Sequence, residues 1–495
     1  MSRATTHTFA ATSIASFAFV AILMLLAAAV SHGLLNDDAV RLWAGASTAA
    51  DGQVPIGRIV AAYPTLPFLT TTLVAWLAPA ATPAPLLVAA SLFALIAAFC
   101  FLSFRRVGLP IVAAGVFTVL ITFHPALLRA VIAGPSDMFL AAFLLMLCLA
   151  LYDLRGRSGT SEVMGVGLAL MALAFSHPMG AAFAFVAVPF LAFAVRPALV
   201  ARSPFNVVIV LTFPMFFAVV AFSYVSWIFP GDGWSFFAAP TESLSQWTAA
   251  FAQVFGDALG RGLALYASLT MAIALATGAP IAVVLLAMVY GRRPLVVPAV
   301  IFTAIAVAAT AISILSGFFG DPTPVVVAAP VLAAVVVIRV PLARERLLLT
   351  TALLMLGWMG GFVSLLLVDP ITVNHFQAAS GHGESERLDA LSAGGAAIGH
   401  DGVLADVENA PAFVLGRGRT RGIFGPQSEP FALAMLFARI DTPFVAVPDP
   451  QSNIGANDRL NKAFPLLFRD GAPGYRIIYQ NNTWELFEKI KQNLN

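Results

Sequence analysis

Long apolar runs separated by arginine-bearing loops fill the first three quarters of this chain, and they leave it one kind of structure. A backbone inside hydrocarbon has no water to bond to, so it must close its own hydrogen bonds as helix. The first run, from about Phe9 to Ser31, follows Arg3 and is longer than the apolar core of a cleaved signal segment. It reads as a retained first span, with cleavage after Ala29 as the alternative. Further spans are expected near 84–104, 108–124, 135–153, 162–177, 179–195, 205–228, 272–291, 294–316, 324–338 and 347–368, eleven in all with the first. The fold class is therefore an α-helical polytopic membrane protein.

The loops give the orientation. On this arrangement twelve of the sixteen arginines before residue 369 share one side, and only Arg41, Arg58, Arg129 and Arg261 lie on the other. Arginine-bearing loops stay in the cytoplasm, so the N-terminus is expected inside and everything after the last span outside. Composition agrees, at 60% hydrophobic and 11% charged residues, and a net charge of +2 leaves no basic excess for nucleic acid. Cys100 and Cys148 sit inside apolar runs, where a thiol serves as a small hydrophobe, so neither a disulfide framework nor a zinc cluster is readable.

Two organisational units follow: a transmembrane domain over 1–368 with an outer loop at 32–83, and a small extracytoplasmic α/β domain over 369–495. Within the outer loop, Leu66 to Ala78 is too short to cross comfortably and reads as a surface or re-entrant helix. Thr277-Gly-Ala-Pro280 breaks the run from Leu263 to Tyr290. In the C-terminal domain, 412–415, 443–447 and 475–479 are expected as strands, and 429–439 and 484–491 as amphipathic helices.

Polar chemistry collects on the outward side. Asp37 and Asp38 follow the first span directly, where desolvation and mutual repulsion would suit one of them to take a proton from a hydroxyl. Capping of a helix over 39–49 is the plainer role for the same pair. His124, Asp137, His177 and Asp321 all lie near expected outer ends. A transporter would be expected to hold such groups near the bilayer midplane, yet the middles of the spans are nearly all Ala, Val, Leu and Phe. Outward arginines beside outward carboxylates suit a pocket that grips phosphate while an acid handles a proton, although snorkelling to the interface explains any single arginine.

The order of these features resembles the GT-C superfamily of integral-membrane glycosyltransferases, which use polyprenyl-phosphate-linked sugars. The likeness rests on Asp37-Asp38 after the first span, on Tyr63-Pro-Thr-Leu-Pro-Phe68, on His124-Pro-Ala-Leu-Leu-Arg129 through Gly134-Pro-Ser-Asp137, and on Ser176-His-Pro-Met-Gly180. Met179 stands where the family often has an acidic residue. Phe444 to Pro450 and Gly474 to Tyr479 are similar to the periplasmic C-terminal domain of bacterial members. The resemblance implies an inverting transferase in the bacterial inner membrane, multi-pass, with its tail domain periplasmic. It would move a sugar from a polyprenyl-phosphate donor to a hydroxyl of a cell-envelope glycan, lipid or protein acceptor. Asp37, Asp38 and Asp137 would be the catalytic acids, with Arg58, Arg129 and Arg261 on the donor phosphate and Tyr63, His124 and His177 as further site residues. A divalent cation, magnesium or manganese, held by Asp38 and Asp137 is compatible with the resemblance and not required by it. A non-catalytic membrane scaffold and a lipid-linked-sugar transporter are the alternatives.

Overall fold

The computed structural model describes residues 3–31, 37–52, 56–78, 83–157, 159–229, 262–369 and 386–490 apart from 408, 419 and 427, with parts of 244–252. Packing divides the chain into two compact units. One comprises Met1–Ala28, Ile56–Pro67 and Leu86–Gln377, and the other Ala29–Pro55, Phe68–Pro85 and Ala378–Asn495. Most of the outer loop therefore groups with the C-terminal segment, a division finer than a single boundary near residue 368.

The helices in chain order are α1 (Arg3–Ser31), α2 (Asp37–Ala50), α3 (Ile56–Val60), α4 (Thr65–Leu77), α5 (Ala84–Arg106), α6 (Ile111–Thr122), α7 (Pro125–Ala133), α8 (Pro135–Gly156), α9 (Thr160–Ser176) and α10 (Pro178–Ala194). They continue as α11 (Pro197–Arg202), α12 (Pro204–Ile228), α13 (Leu263–Gly278), α14 (Pro280–Met288), α15 (Arg293–Ser316), a 3-10 turn Thr323–Val327 running into α16 (Ala328–Arg339), and α17 (Leu347–Val368). Proline starts many of them because it lacks the N–H that a first turn leaves unused. The chain is thus a helical polytopic membrane protein. Among the described residues six helices are long and apolar enough to cross, or eight if the pairs α6–α7 and α13–α14, bent by 55° and 77°, each count as one. That is fewer than eleven, because α9, α10 and the segment Thr323–Arg339 reach at most 17 residues. The bend of the second pair falls at the Gly278–Pro280 break read from the sequence.

In the first unit, small residues let helices meet backbone to backbone, a common solution in membranes. A Cβ on Gly360 of α17 would lie 2.0 Å from the Thr277 carbonyl of α13. Ser364 Oγ donates to the Ala274 carbonyl at 3.0 Å, and Trp358 Nε1 to that of Phe123 at 2.7 Å. One end of α8 is tied to two neighbours: Arg339, closing α16, meets Asp153 at 2.7 Å, and Arg155 donates to the Val195 carbonyl beyond α10 at 2.5 Å.

The second unit holds a five-stranded sheet of β1 (Val403–Leu404), β2 (Ile423–Phe424), β3 (Phe444–Pro448), β4 (Tyr475–Gln480) and β5 (Trp484–Lys489), in the order β2-β1-β3-β5-β4. The pairs with β1 are parallel, and β5 is antiparallel to both β3 and β4. Leu404, Phe431, Val445, Val447, Leu460 and Phe487 form the core. The strands expected at 443–447 and 475–479 and the helix expected at 429–439 are present as β3, β4 and Glu429–Phe437. Two expectations fail. Residues 412–415 belong to a helix, Pro411–Arg417, which starts on proline and ends on Gly418 at φ +70°. Residues 484–489 form β5, whose Glu and Lys content favours helix while pairing with β3 and β4 decides for strand.

Candidate functional site

The site begins with a turn. Gly134 closes α7 and opens α8 with φ +115°, a backbone angle that glycine adopts without strain. The reversal turns Arg129 back toward Asp137, and the two side chains pair directly. The same guanidinium reaches Asp369 through Nε at 3.1 Å, just past the end of α17, and lies 3.9 Å from Asp321 in the loop after α15. His177, between α9 and α10, completes the group with Nε2 3.1 Å from the other Asp137 oxygen. Its Nδ1 accepts the Met179 N–H at 2.9 Å, so the ring proton sits on Nε2 and is donated to Asp137.

Four separate helix ends are thus gathered around one cation. Asp369 is 1% exposed and Arg129 13%, so these charges are withdrawn from water and depend on one another. One arginine faces three carboxylates, an excess of negative charge. Burial pushes the Asp321 carboxyl up to about 7, against the pull of Arg129 and with the Asp369 charge adding to it. Thr323 holds the ionised form in the opposite sense, donating to Asp321 Oδ1 from its amide at 2.8 Å and its hydroxyl at 2.5 Å. Chemically, the cluster can store or pass a proton through Asp321 and can orient Asp137 rigidly.

The other expected site residues divide. His124 is buried at the bend between α6 and α7, where Nδ1 accepts from the Ala126 amide and Nε2 lies 3.1 Å from both the Gly278 and Gly357 carbonyls. Its ring joins α13 and α17, a structural task. Tyr63 donates its hydroxyl to the Ala174 carbonyl at 3.2 Å, which is likewise structural. Asp37 opens α2 and Asp38 follows it, so both stand in a first turn that favours negative charge, and Asp38 is exposed. Both belong to the second unit. Arg261 lies outside the described residues, as do the side chains of Asp37 and Arg58.

Within that second unit the far end of α2 is fastened to the C-terminal segment. Thr420 donates to Asp51 Oδ2 from its amide at 2.9 Å and its hydroxyl at 2.5 Å, and α2 packs on the helix Pro411–Arg417. No sequence pattern announces a pairing across so many residues. Asp369 was legible only as the end of an apolar run, although Asp321-Pro322 and Asp369-Pro370 share one signal, an aspartate-proline pair at the edge of a span.

Among the described residues no three His, Cys, Asp or Glu side chains are placed to hold a metal ion. Asp137 has one oxygen on Arg129 and the other on His177, so the guanidinium stands where a cation would. No protein-family model matches the chain, and no curated protein matches it.

Proposed function

We propose that the chain is a GT-C-like transferase that moves a sugar, with inversion, from a polyprenyl-phosphate donor to an acceptor hydroxyl at the periplasmic face of a bacterial inner membrane. The observation that carries the reading is the cluster of Arg129, Asp137, His177, Asp321 and Asp369, which collects polar chemistry at one set of helix ends. A transport path would call for such groups along the helices. In this reading Asp37 or Asp38 takes the acceptor proton and the other orients the hydroxyl, while Asp137, held from both sides, is the second acidic partner. Arg58 and Arg261 grip the donor phosphate, and Arg129 adds positive potential beside it while locking the acids in place. An apolar groove lined by Ser268, Leu286, Ala299, Val300 and Thr303 suits the prenyl chain. In this reading the positive charge beside Asp137 comes from Arg129, which pairs with one of its oxygens.

We also infer that the three segments of 17 residues cross the membrane. At about 1.5 Å per residue each covers roughly 25 Å, near the lower limit for a span. The ends of α8 give the argument. Asp137 near its start shares Arg129 with Asp321, which leads into Thr323–Arg339, and Asp153 near its finish pairs with Arg339. In this reading the shorter segment lies alongside α8 from Asp137 to Asp153. The His177–Asp137 and Arg155–Val195 contacts make the same case for α10, and α9 runs back between them.

The test is Asp37→Asn and Asp38→Asn, made singly, in proteoliposomes supplied with polyprenyl-phosphate sugars, with consumption of the donor followed by mass spectrometry. One substitution should lower transfer by about 100-fold or more, the range for loss of a general base, while insertion and melting stay unchanged. Full transfer by both variants defeats the reading. A cluster whose members bond mainly to one another also suits a non-catalytic assembly subunit, which would tolerate both changes and fail on disruption of residues 400–495.

A further inference from the structure

We propose that the C-terminal segment carries a binding site for a hard divalent cation, built from Asp406, Asp458 and Asn461 and separate from the cluster around Arg129. The three side chains come from two stretches of chain that meet near the end of β3. Asp406 follows β1, and its Oδ2 accepts from the Arg459 amide at 3.0 Å and from Asn409 Nδ2 at 2.7 Å. That seats the Asp406 carboxylate against the peptide joining Asp458 to Arg459. Asp458 Oδ1 accepts from the Asn461 amide at 2.9 Å, and Asn461 Nδ2 donates to the Pro448 and Gly455 carbonyls. Every donor in the group is thereby spent, and three oxygens are left over.

Those oxygens are Asp406 Oδ1, Asp458 Oδ2 and Asn461 Oδ1, each buried and each without a hydrogen-bond partner. The residues are 1%, 0% and 7% exposed. Buried polar atoms are nearly always satisfied, and one orphaned oxygen would be a curiosity, whereas three from neighbouring residues describe a ligand set. Two carboxylates and an amide oxygen, with no nitrogen or sulfur, are donors for calcium or magnesium rather than for zinc or copper. The charge asks for the same thing. Among the described residues, the cation paired with Asp406 is Arg459, whose Nη1 lies 3.8 Å from Oδ1 on a side chain about half exposed. Burial, with the Asp406 charge adding to it, pushes the Asp458 carboxyl up to about 7. A bound divalent ion would reverse that by favouring the ionised form.

The full-length protein in nanodiscs, freed of metal with chelator, is titrated with calcium alone at pH 7.5, and binding is read by equilibrium dialysis of radiolabelled calcium. One ion per chain should bind. Asp406→Asn and Asp458→Asn should each weaken binding at least about tenfold. Asparagine keeps the cap on Asn461, so the fold is retained. Hydrogen exchange on the unsubstituted protein gives a readout that needs no variant: calcium should slow exchange over 403–409 and 455–463. Without metal, Asp458→Asn should melt no lower than the chelated parent, since it removes a buried repulsion. The proposal is overturned if millimolar calcium leaves exchange in those two stretches unchanged, or if neither variant alters binding. None of these readouts involves sugar transfer, so failure here and failure of the transferase reading are told apart.

Discussion

Arg129 shows how one side chain can organise a site. Its guanidinium bridges carboxylates that lie 8, 192 and 240 residues further along the chain, and removing it would leave two buried acids and the half-buried Asp321 without their shared cation. Breaking a buried pair by deleting one partner typically costs about 3–5 kcal/mol. Arg129→Ala should therefore lower the melting temperature of the detergent-solubilised protein markedly, and adding Asp369→Asn should recover part of the loss. The pH dependence has a definite sign. A carboxyl whose folded pKa is raised, as burial raises that of Asp321 to about 7, is fully compatible with the fold while protonated. It contributes instability as pH rises from its unfolded value near 4 through 7. The penalty of Arg129→Ala should accordingly be larger at pH 8 than at pH 5. Equal penalties at both would mean that Asp321 does not carry the proton. Asp137 and His177 were readable as site residues because polar groups at the edge of an apolar run are conspicuous. The engagement of Arg129 by Asp321 and Asp369 was not, since nothing local links residues so far apart.

Elements were legible where apolar length decided them and illegible where pairing did. The long helices follow from their runs, and the break before Pro280 from a Gly-Ala-Pro string. In the second unit Ala412 to Leu415 is a short apolar stretch that suits strand or helix equally, and Pro411 with Gly418 supplied the helix stops that a reading of hydrophobicity passes over. Strands β1 and β2 have two residues each, too few to show alternation. Helix contacts offer a further prediction. Gly360→Ala improves intrinsic helix propensity by roughly 1 kcal/mol, but its Cβ would press to 2.0 Å on the Thr277 carbonyl, which is backbone and cannot swing aside. Gly115, also helical, has open space around it. Gly360→Ala should destabilise by about 1–3 kcal/mol as an overpacked contact, while Gly115→Ala should be neutral or mildly stabilising. Equal effects in a thermal melt would mean that α13 and α17 do not touch at Gly360.

At the scale of the whole molecule, the side on which the C-terminal segment lies turns on one short segment. On the proposed reading, with the start of α1 inside, the helices α1, α5, the bent pair α6–α7 and α8 would make four crossings. The segments α9 and α10 leave the count's parity unchanged whether both cross or both fold back. Then α12, the bent pair α13–α14, and α15 bring the chain outside, and α17 makes one more crossing. If Thr323–Arg339 also crosses, the tail ends outside, and if it does not, the tail ends inside. The contacts favour crossing, because Arg339 at the end of the segment pairs with Asp153 of the 22-residue α8, while Asp321 before its start lies near Arg129, which pairs with Asp137 at the other end of α8. Arginine placement agrees, since Arg155, Arg157 and Arg339 lie at the same end. Cys100 and Cys148 are both buried, so the background for labelling is low. In intact cells a membrane-impermeant maleimide should label Arg421→Cys, on an exposed position of the C-terminal segment, and should reach Arg157→Cys only after permeabilisation. Protection of both positions until permeabilisation would place the tail in the cytoplasm, away from any lipid-linked sugar on the outer face. It would remove both the eleven-crossing arrangement and the transferase that depends on it, and it would break the tie between α2 and the tail at Asp51 and Thr420.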